Sequence, residues 1–350
     1  MKAWVLYGPN EIRLDMVDKP CVEKGEVLVA VKAAGICGSD IPRIYKTGAH
    51  VHPLIPGHEF AGVVVETGAG VDRSWQGKRV GIFPLIPCRA CKPCLEKHYE
   101  MCRHYSYLGS RRDGGFAEYA AVPAENLILL PETVSFEKAA MLEPMAVAVH
   151  AMRRVQPEAK ENVVICGLGT IGLVLLMFLL DTQKFGGKIL VVGNKEFQKQ
   201  QAMKLGLPEE SYCDSRLQDV GRWIMECTDG VGADVFFECV GKNETLTQAV
   251  DCTAPAGRIC LVGNPASDMM LEKEVYWKIL RNQQTIMGTW NSSFTREAAD
   301  DWNYVLECLA RNRVMPDMLI SHRFSLEEME KGFHIMRDKS EDYVKIMGIF

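Results

Sequence analysis

A glycine-rich turn between an apolar strand and an apolar helix constrains the fold of this chain more than any other feature. The turn is GLGTIG, Gly167 to Gly172, and it follows NVVIC and opens LVLLMFLL. Gly167 permits a tight turn, Gly169 lets a pyrophosphate approach the backbone, and Gly172 lets the helix pack against the strand. In this context the pattern predicts a dinucleotide site, whereas a purely structural glycine turn is the alternative.

The surrounding sequence alternates apolar strands with amphipathic helices. The strands are NVVICG, KILVVG, ADVFFECVG and GRICLVGN, and the segments EFQKQQAMKLG and NETLTQAVD between them are helical in pattern. This α/β alternation predicts a doubly wound parallel sheet of the Rossmann type, covered by helices on both faces. Residues 163–180 carry no charge and approach the length of a membrane span, but their glycines favour a strand, a turn and a buried helix.

The second of these strands bears on the choice of dinucleotide. An acid that binds the adenosine ribose is expected about 20 residues beyond the glycine turn. Gly193 lies there, 21 residues after Gly172, and no carboxylate at this point would repel a 2′-phosphate. We therefore expect NADP, or both NADP and NAD, and Lys195 could attract the phosphate unless it is a solvated surface charge. The predicted cofactor-binding residues are Gly167, Gly169, Thr170, Ile171, Gly172, Gly193, Asn194, Lys195, Val240 and Gly263.

The first third of the chain has a different pattern. EVLVAVKAAGI, AGVVVETG, GKRVGIF and GFAEYAAV are short β-branched runs separated by turn residues. They predict an antiparallel, partly open barrel. A chain of 350 residues is long enough for about two domains, so the barrel and the parallel sheet are expected to be separate domains.

Two groups of metal-binding residue types follow one another in the sequence. Cys37 ends an apolar strand, His58 and Glu59 lie in PGHEF, and Glu143 lies at the start of a helix. One thiolate with imidazole and carboxylate ligands suits zinc and can leave a position open, where the metal polarises an alcohol for hydride loss to a nicotinamide. Taken singly, each of these residues is more often part of a core.

The second group is denser. The segment CRACKPCLEKHYEMC predicts a zinc site with four thiolate ligands, and such a closed site folds a lobe but leaves no position for a substrate. Its cysteines are Cys88, Cys91, Cys94 and Cys102.

Composition narrows the possible partners. The formal net charge is −5 and the isoelectric point is about 6.0, so no broad positive surface is available for nucleic acid or anionic lipid. The first residues lack a signal-peptide core, and most cysteines stand singly in apolar runs. We therefore expect a cytoplasmic protein.

The chain resembles the zinc-containing medium-chain alcohol dehydrogenases. GHEFAGVVVETGAGV has that family's G-H-E-x2-G-x5-G-x2-V form, and CGSD, the four-cysteine lobe, DGGFAEY, LEP and GLGTIG occur in the family's order. The resemblance implies a GroES-like catalytic domain at residues 1–150 and 289–350, with the zinc lobe at 88–102, and an NAD(P)-binding Rossmann domain at 151–288. A homodimer or homotetramer is also implied.

The resemblance assigns roles to individual residues. Cys37, His58 and Glu143 would be ligands or near-ligands of a catalytic zinc, with Glu59 beside the metal. Ser39 would bind the substrate oxygen and start a proton relay to solvent. The four clustered cysteines would hold a second, structural zinc. A non-catalytic sensor that binds zinc and a dinucleotide is the alternative, but such a protein has no need of the dispersed cluster.

The implied substrate is a polyol phosphate. A glutamate at 143, together with CGSDIPRIYKTGAHVHP and YLGSRRDGGFAEY, resembles the polyol and polyol-phosphate dehydrogenases. The implied reaction oxidises a secondary hydroxyl to give a ketose phosphate, with galactitol 1-phosphate as the leading substrate. An arabitol phosphate, an unphosphorylated polyol and a sugar acid are alternatives.

A phosphorylated substrate requires cationic donors near the cleft, and a guanidinium matches a phosphate well. Arg111 and Arg112 in SRRDGG are the first candidates, and Arg43, Lys46 and His50 are weaker ones. The alternative is that SRRDGG is a charged hairpin turn, paired internally through its aspartate.

Overall fold

The computed structural model describes residues 1–182 and 187–350. The chain divides into two compact units. Unit 1 comprises residues 1–146 and 292–350, and unit 2 comprises residues 147–291. Both ends of the sequence therefore belong to unit 1.

The strands of the described residues are numbered in chain order. They are β1 (Lys2–Gly8), β2 (Glu11–Met16), β3 (Glu26–Ile36), β4 (Glu59–Thr67), β5 (Arg79–Ile82), β6 (Leu85–Ile86), β7 (Ser106–Tyr107), β8 (Tyr119–Pro123), β9 (Leu127–Leu129), β10 (Val163–Cys166), β11 (Ile189–Gly193), β12 (Tyr212–Asp214), β13 (Ala233–Glu238), β14 (Thr253–Leu261), β15 (Thr285–Gly288), β16 (Ile320–Phe324) and β17 (Lys345–Ile349).

The α-helices are numbered in the same way. They are α1 (Asp40–Pro42), α2 (Lys92–Leu95), α3 (Phe136–Ala140), α4 (Leu142–Val155), α5 (Thr170–Asp181), α6 (Glu196–Lys204), α7 (Val220–Cys227), α8 (Asn243–Cys252), α9 (Lys273–Asn282), α10 (Asp301–Ala310) and α11 (Met329–Asp338).

Unit 1 is built on a seven-stranded sheet in the order β16-β17-β3-β4-β5-β9, with β8 also pairing β3. Only β16 and β17 run parallel within the described sheet. Gly35 of β3 lies opposite both Glu59 of β4 and Met347 of β17. This register brings the end of β3 next to the starts of β4 and β17, and it positions the candidate active site.

An aromatic cluster joins the two ends of the chain inside unit 1. The rings of Trp4 and Phe333 meet edge to face with centroids 5.5 Å apart, and Phe116 lies 5.6 Å from Phe333. The Trp4 indole also donates to the backbone carbonyl of Leu326 at 2.7 Å. All three rings are buried, so β1 and α11 form one core although they lie at opposite ends of the sequence.

Unit 2 is a six-stranded parallel sheet in the order β12-β11-β10-β13-β14-β15. This is the doubly wound order of a Rossmann fold, in which the strand order reverses between β10 and β13 and ligands bind at the carboxyl ends of those strands. The predicted Rossmann sheet is confirmed. Strand β10 is buried along its whole length, as expected of a strand covered on both faces.

The uncharged segment at residues 163–180 forms strand β10, a turn and most of helix α5. Eight residues of α5 are buried, which explains why the helix is apolar on all sides. No helix in the described part of the chain is long and apolar enough to cross a membrane.

Candidate active site

Three metal-binding side chains meet where β3 ends and β4 begins. Cys37 directly follows β3, His58 precedes β4, and Glu59 is the first residue of β4. One ligand atom from each lies within 4.8 Å of the others. A thiolate, an imidazole and a carboxylate form a donor set that zinc accepts. The close pairing of the two strands requires Gly35, because an added Cβ there would overlap the Glu59 carboxylate.

Asp40 organises one side of this cluster. Its buried carboxylate accepts hydrogen bonds from the Cys37 amide at 3.0 Å and from the Arg43 guanidinium at 2.5 Å. The same carboxylate lies 3.4 Å from Nδ1 of His58. A carboxylate that faces Nδ1 at this distance leaves Nε2 available for a metal, as is usual for histidine ligands.

The charges around His58 shift its pKa. Burial lowers the pKa of His58, but the carboxylate of Asp40 and the thiolate of Cys37 raise it, so that it lies well above its usual value. Burial likewise raises the pKa of Asp40, yet His58 and Arg43 hold it below its usual value. The pair therefore favours an ionised carboxylate facing the imidazole.

Lys345 neutralises Glu59. Its ammonium donates to both carboxylate oxygens of Glu59, at 2.8 and 2.6 Å, and to the Ile36 carbonyl at 3.2 Å. Burial lowers the pKa of Lys345, but Glu59 and Cys37 raise it, and the net pKa lies above its usual value. A buried positive charge therefore stands beside the metal-binding cluster.

Glu143 lies near this cluster but outside the group of three ligand atoms. It is the second residue of α4, and the Tyr107 hydroxyl donates to its Oε1 at 3.1 Å. Burial raises the pKa of Glu143 to about 7, with Glu59 raising it and His58 and Lys345 lowering it. The Tyr107 ring lies 5.8 Å from the His58 ring. The role of Glu143 as a third metal ligand stays a prediction.

Ser39 is exposed beside the same cluster. Its hydroxyl donates to Sγ of Cys37 at 3.3 Å. A hydroxyl that contacts both solvent and a metal-binding thiolate is suited to move a proton outward.

The four clustered cysteines converge as the sequence predicts. Sγ of Cys91 lies 3.5 Å from that of Cys94 and 3.9 Å from that of Cys102, and the Cys88 amide donates to Cys102. Backbone N–H groups lower the pKa of Cys91 to about 6, whereas burial raises the pKa of Cys94 to about 12. All four ligand atoms lie within 4.8 Å of one another, which fits a closed tetrathiolate site.

The glycine turn of unit 2 has the geometry of a phosphate-binding loop. Gly167 has φ +101°, a conformation that favours glycine, and an added Cβ at Gly172 would overlap the Gly167 carbonyl. Gly169 has open space where a Cβ would be, which leaves room for a ligand. Thr170 and Ile171 open helix α5 directly after it.

Further predicted cofactor residues lie around this turn. An added Cβ at Gly167 would lie 2.6 Å from Val240, and one at Gly263 would lie 2.7 Å from the Val240 amide. The buried carboxylate of Glu238 accepts from the amides of Val240 and Gly241 at 2.8 and 2.9 Å. Glu238, which was not predicted, therefore shapes the loop at the point where the strand order reverses.

The remaining predicted cofactor residues lie at the end of β11, the strand next to β10. Gly193 ends β11, and Asn194 and Lys195 follow it at the start of α6. Asn194 is exposed and Lys195 is half-buried.

The predicted phosphate-binding cations have different surroundings. Arg111 is exposed and its guanidinium lies over the Tyr105 ring at 4.7 Å, next to the edge-to-face pair of Tyr105 and Tyr107. His50 is exposed, and burial, followed by the charges of Arg111 and Arg43, lowers its pKa. The charges of both arginines therefore disfavour the protonated form of His50.

Arg112 and Arg43 have partners within the protein. Arg112 forms an ion pair with the buried Glu26 carboxylate, and Arg43 binds Asp40. Asp113 accepts a hydrogen bond from the Ile55 amide at 2.8 Å. The alternative, in which this aspartate pairs with an arginine inside SRRDGG, is therefore not observed among the described residues. Carboxylates of the protein therefore bind Arg43 and Arg112, and the phosphate-binding role of Arg111 and His50 stays a prediction.

Comparison with known proteins identifies the family. The family description "Alcohol dehydrogenase GroES-like domain" matches residues 23–132, and "Zinc-binding dehydrogenase" matches residues 170–315. The chain belongs to the zinc-type alcohol dehydrogenase family. The predictions of family, fold class, enzymatic activity and NAD(P) and zinc as cofactors are thereby confirmed.

Curated relatives place the chain among the polyol and sugar alcohol dehydrogenases. It is 34% identical over 312 residues to galactitol 1-phosphate 5-dehydrogenase of Escherichia coli K12, covering 88% of each chain. It is 32% identical to L-idonate 5-dehydrogenase of Vitis vinifera, with coverage of 95% and 90%, and 32% identical to sorbitol dehydrogenase of Arabidopsis thaliana, with coverage of 99% and 94%.

Solved structures of the family have the same fold. Galactitol-1-phosphate dehydrogenase from Escherichia coli superposes with a TM-score of 0.91 at 30% identity, over 100% of both chains. A zinc-binding dehydrogenase from Sinorhizobium meliloti bound to NADP superposes with a TM-score of 0.89 at 27% identity, over 100% and 99% of the chains. An alcohol dehydrogenase from Escherichia coli CFT073 complexed with NADH gives 0.90 at 27% identity, also over 100% and 99%.

Three further residues of this dehydrogenase were not predicted from sequence. Asp40 lies in the CGSD segment, Tyr107 in the YLGSRRDGG region, and Lys345 in the last strand. A buried lysine in an apolar strand is the strongest of these signals, since such a charge is rarely buried without a partner. Nothing in the sequence indicated which group each of these residues would contact.

Proposed function

We propose that this enzyme oxidises a secondary hydroxyl of a polyol phosphate to the matching ketose phosphate, with galactitol 1-phosphate giving tagatose 6-phosphate as the leading pair. The observation that carries the proposal is the exposed guanidinium of Arg111, with the exposed imidazole of His50 near it. Arg111 lies over the Tyr105 ring, Tyr105 contacts Tyr107, and Tyr107 lies beside the imidazole of His58. A substrate whose hydroxyl lies at the metal-binding cluster could extend its phosphate to Arg111.

Each side chain of the site has a role in this proposal. Cys37 and His58, with Glu59 or Glu143, would hold zinc, and the residues of the glycine turn would hold NAD(P). Zinc supplies Lewis acidity toward an alcohol oxygen, and NAD(P) accepts a hydride. Ser39 would accept the proton of the reacting hydroxyl and pass it to solvent. Asp40 orients His58, and Tyr107 orients Glu143.

Unit 1 with its two metal-binding clusters is the proposed catalytic domain, and unit 2 is the proposed cofactor domain. The four clustered cysteines of unit 1 would hold a structural zinc. The thirteen cysteines form no disulfide among the described residues, and thiolate ligands for zinc suit a reducing compartment and hence the cytoplasm.

The test compares phosphorylated and unphosphorylated substrates. Wild-type enzyme is assayed with galactitol 1-phosphate, an arabitol phosphate, sorbitol and L-idonate, each with NAD⁺ and NADP⁺. Arg111→Ala should raise KM for the phosphorylated substrate by about 10-fold or more, because a charge-assisted hydrogen bond is lost. KM for an unphosphorylated polyol should not change.

Arg311→Ala is the matched control. Arg311 is an exposed arginine of unit 1 that follows helix α10 and forms an ion pair with Glu307. The proposal fails if the unphosphorylated polyols are turned over best and Arg111→Ala affects all substrates alike. That outcome would favour the second candidate function, a sorbitol- or idonate-type dehydrogenase, which is supported by the relatives of those names.

A homodimer or homotetramer is proposed to form through unit 2. Strand β14, in the segment GRICLVGN, is covered by β15 on its outer side. The exposed edge is β15, where Ile286 is 36% exposed, and helix α9 presents Tyr276, Trp277 and Leu280 on the surface. An unpaired strand edge beside apolar side chains favours pairing with a second copy. Ile286→Lys should shift the mass measured by light scattering toward the monomer.

A further inference from the structure

The end of strand β11 is where a Rossmann domain usually carries the acid that binds the adenosine ribose. Gly193 occupies this position, and its neighbour across the sheet is β12. Tyr212, the first residue of β12, pairs with Val191 in the parallel register. The Tyr212 side chain therefore extends along the sheet toward Gly193.

The Tyr212 phenol fills the space that a side chain at position 193 would need. A Cβ added to Gly193 would lie 2.6 Å from Oη of Tyr212, 3.1 Å from Cε2 and 3.2 Å from Cζ. Contacts this close are not tolerated without movement, and the buried ring has little room to move. An aspartate at 193 would therefore require the Tyr212 side chain to move.

The Tyr212 hydroxyl is a buried polar group with no hydrogen-bond partner among residues 1–182 and 187–350. Burial raises its pKa to about 12, so that the phenol is neutral at physiological pH. A buried hydroxyl without a partner is unusual and calls for an explanation. The Tyr212 hydroxyl thus contributes no hydrogen bond among the described residues. This fits a side chain whose role is to occupy the space beside Gly193.

The nearest alternative acid is already neutralised. Asp214 lies opposite Gly193 in the register, but Arg216 binds both of its oxygens, at 2.9 and 2.6 Å. These contacts hold the pKa of Asp214 at about 2. The Arg216 side chain remains half exposed. The carboxyl ends of β11 and β12 thus present a guanidinium but no uncompensated carboxylate.

We propose that Tyr212 is a specificity-determining residue for the dinucleotide: its phenol stands where a ribose-binding acid would begin, and so keeps this end of the sheet open to a coenzyme with a 2′-phosphate. The inference rests on the proposed role of unit 2 as the cofactor domain. Tyr212 and Gly193 act as a pair, because an acid at 193 would displace the phenol oxygen.

The experiment measures Kd for NADPH and NADH by calorimetry, and Tm, on the purified full-length wild type and variants. Wild type should bind NADPH more tightly than NADH, by about tenfold. Gly193→Asp alone should lower Tm and weaken the binding of both NADPH and NADH, because the new side chain displaces Tyr212. Gly193→Asp combined with Tyr212→Phe removes the 2.6 Å contact and should recover Tm and reverse the preference toward NADH. Tyr119→Phe, in unit 1, is the matched control.

Two results would overturn the inference. In one, Gly193→Asp alone reverses the preference as fully as the double variant and leaves Tm unchanged, so that Tyr212 does not block the position. In the other, the wild type binds NADH more tightly than NADPH. Neither result contradicts the proposal that unit 2 is the cofactor domain. That proposal fails only if the wild type binds neither dinucleotide.

Discussion

The Lys345 ammonium binds both carboxylate oxygens of Glu59, at 2.8 and 2.6 Å, in a pair that is almost completely buried. These residues lie 286 positions apart in the sequence. The C-terminal strand therefore supplies the countercharge for the carboxylate beside Cys37 and His58.

Removing this countercharge should destabilise the protein strongly. Lys345→Met leaves the Glu59 carboxylate buried without a partner, and loss of one member of a buried pair costs about 3–5 kcal/mol. Urea unfolding should show a decrease of that order in the free energy of unfolding. Lys24→Met, at an exposed lysine, is the control.

Adding Glu59→Gln to Lys345→Met should recover part of this loss, because the unpaired charge is removed. Equal stability of the single and double variants would contradict the assigned pairing.

The two proposed zinc sites should respond differently to loss of one thiolate. Elemental analysis of the wild type should find about two zinc ions per chain. Cys37→Ser should lose one ion and all turnover while the protein remains folded. Cys91→Ser should lose the other ion and lower Tm, since a closed site contributes folding energy. Cys21→Ser, at an exposed cysteine, should change neither quantity.

A Cys91→Ser protein with unchanged Tm and two bound ions would show that the cluster of four cysteines is not a zinc site. A fully active Cys37→Ser enzyme would equally exclude Cys37 from the catalytic site.

Asp40 should act on metal affinity through His58. Asp40→Asn keeps the size of the side chain but removes the charge that faces Nδ1. Loss of such a partner typically weakens metal binding by about 10–100-fold. Competition with a chromogenic chelator measures the effect, and Asp18→Asn, at an exposed aspartate, is the control. Unaltered zinc affinity in Asp40→Asn would mean that Asp40 does not orient the ligand.

Glu143 should make the stability of the chelator-treated protein depend on pH. Its pKa is raised from the usual 4.5 to about 7, chiefly by burial. The folded state therefore holds the proton more tightly than the unfolded state, so the contribution is complete below about pH 4.5 and is lost as the pH rises through about 7. Urea unfolding at several pH values should show this decline in the wild type and not in Glu143→Gln. Parallel curves for the two proteins would refute the assignment.

Local spacing in the sequence was sufficient for most of the fold and for the metal-binding residue types. The glycine turn, the alternation of strands and helices and the cysteine cluster each depend on residues close together in the chain, and the structure forms each of them as predicted. The residues Cys37, His58 and Glu59 were also identified in advance, because strand ends and a family motif marked them.

Contacts between distant segments were decided by the tertiary structure alone. Asp40 was visible in CGSD, but its contact with His58 depends on how β3 and β4 pair. Arg111 and Arg112 are neighbours in sequence, yet one lies over Tyr105 and the other binds Glu26. Local patterns cannot distinguish such neighbours, since the direction of each side chain is set by the backbone of the folded turn.

The cofactor site shows the same division. The sequence by itself determined that position 193 lacks an acid, because a strand that ends in glycine can be recognised from the residues around it. Only the tertiary structure showed that Tyr212 fills the space of the missing side chain and that Lys345 neutralises Glu59. The first contact joins the neighbouring strands β11 and β12, and the second joins β17 to β4 across β3. Strand order and register, which no local pattern specifies, bring each pair of residues together.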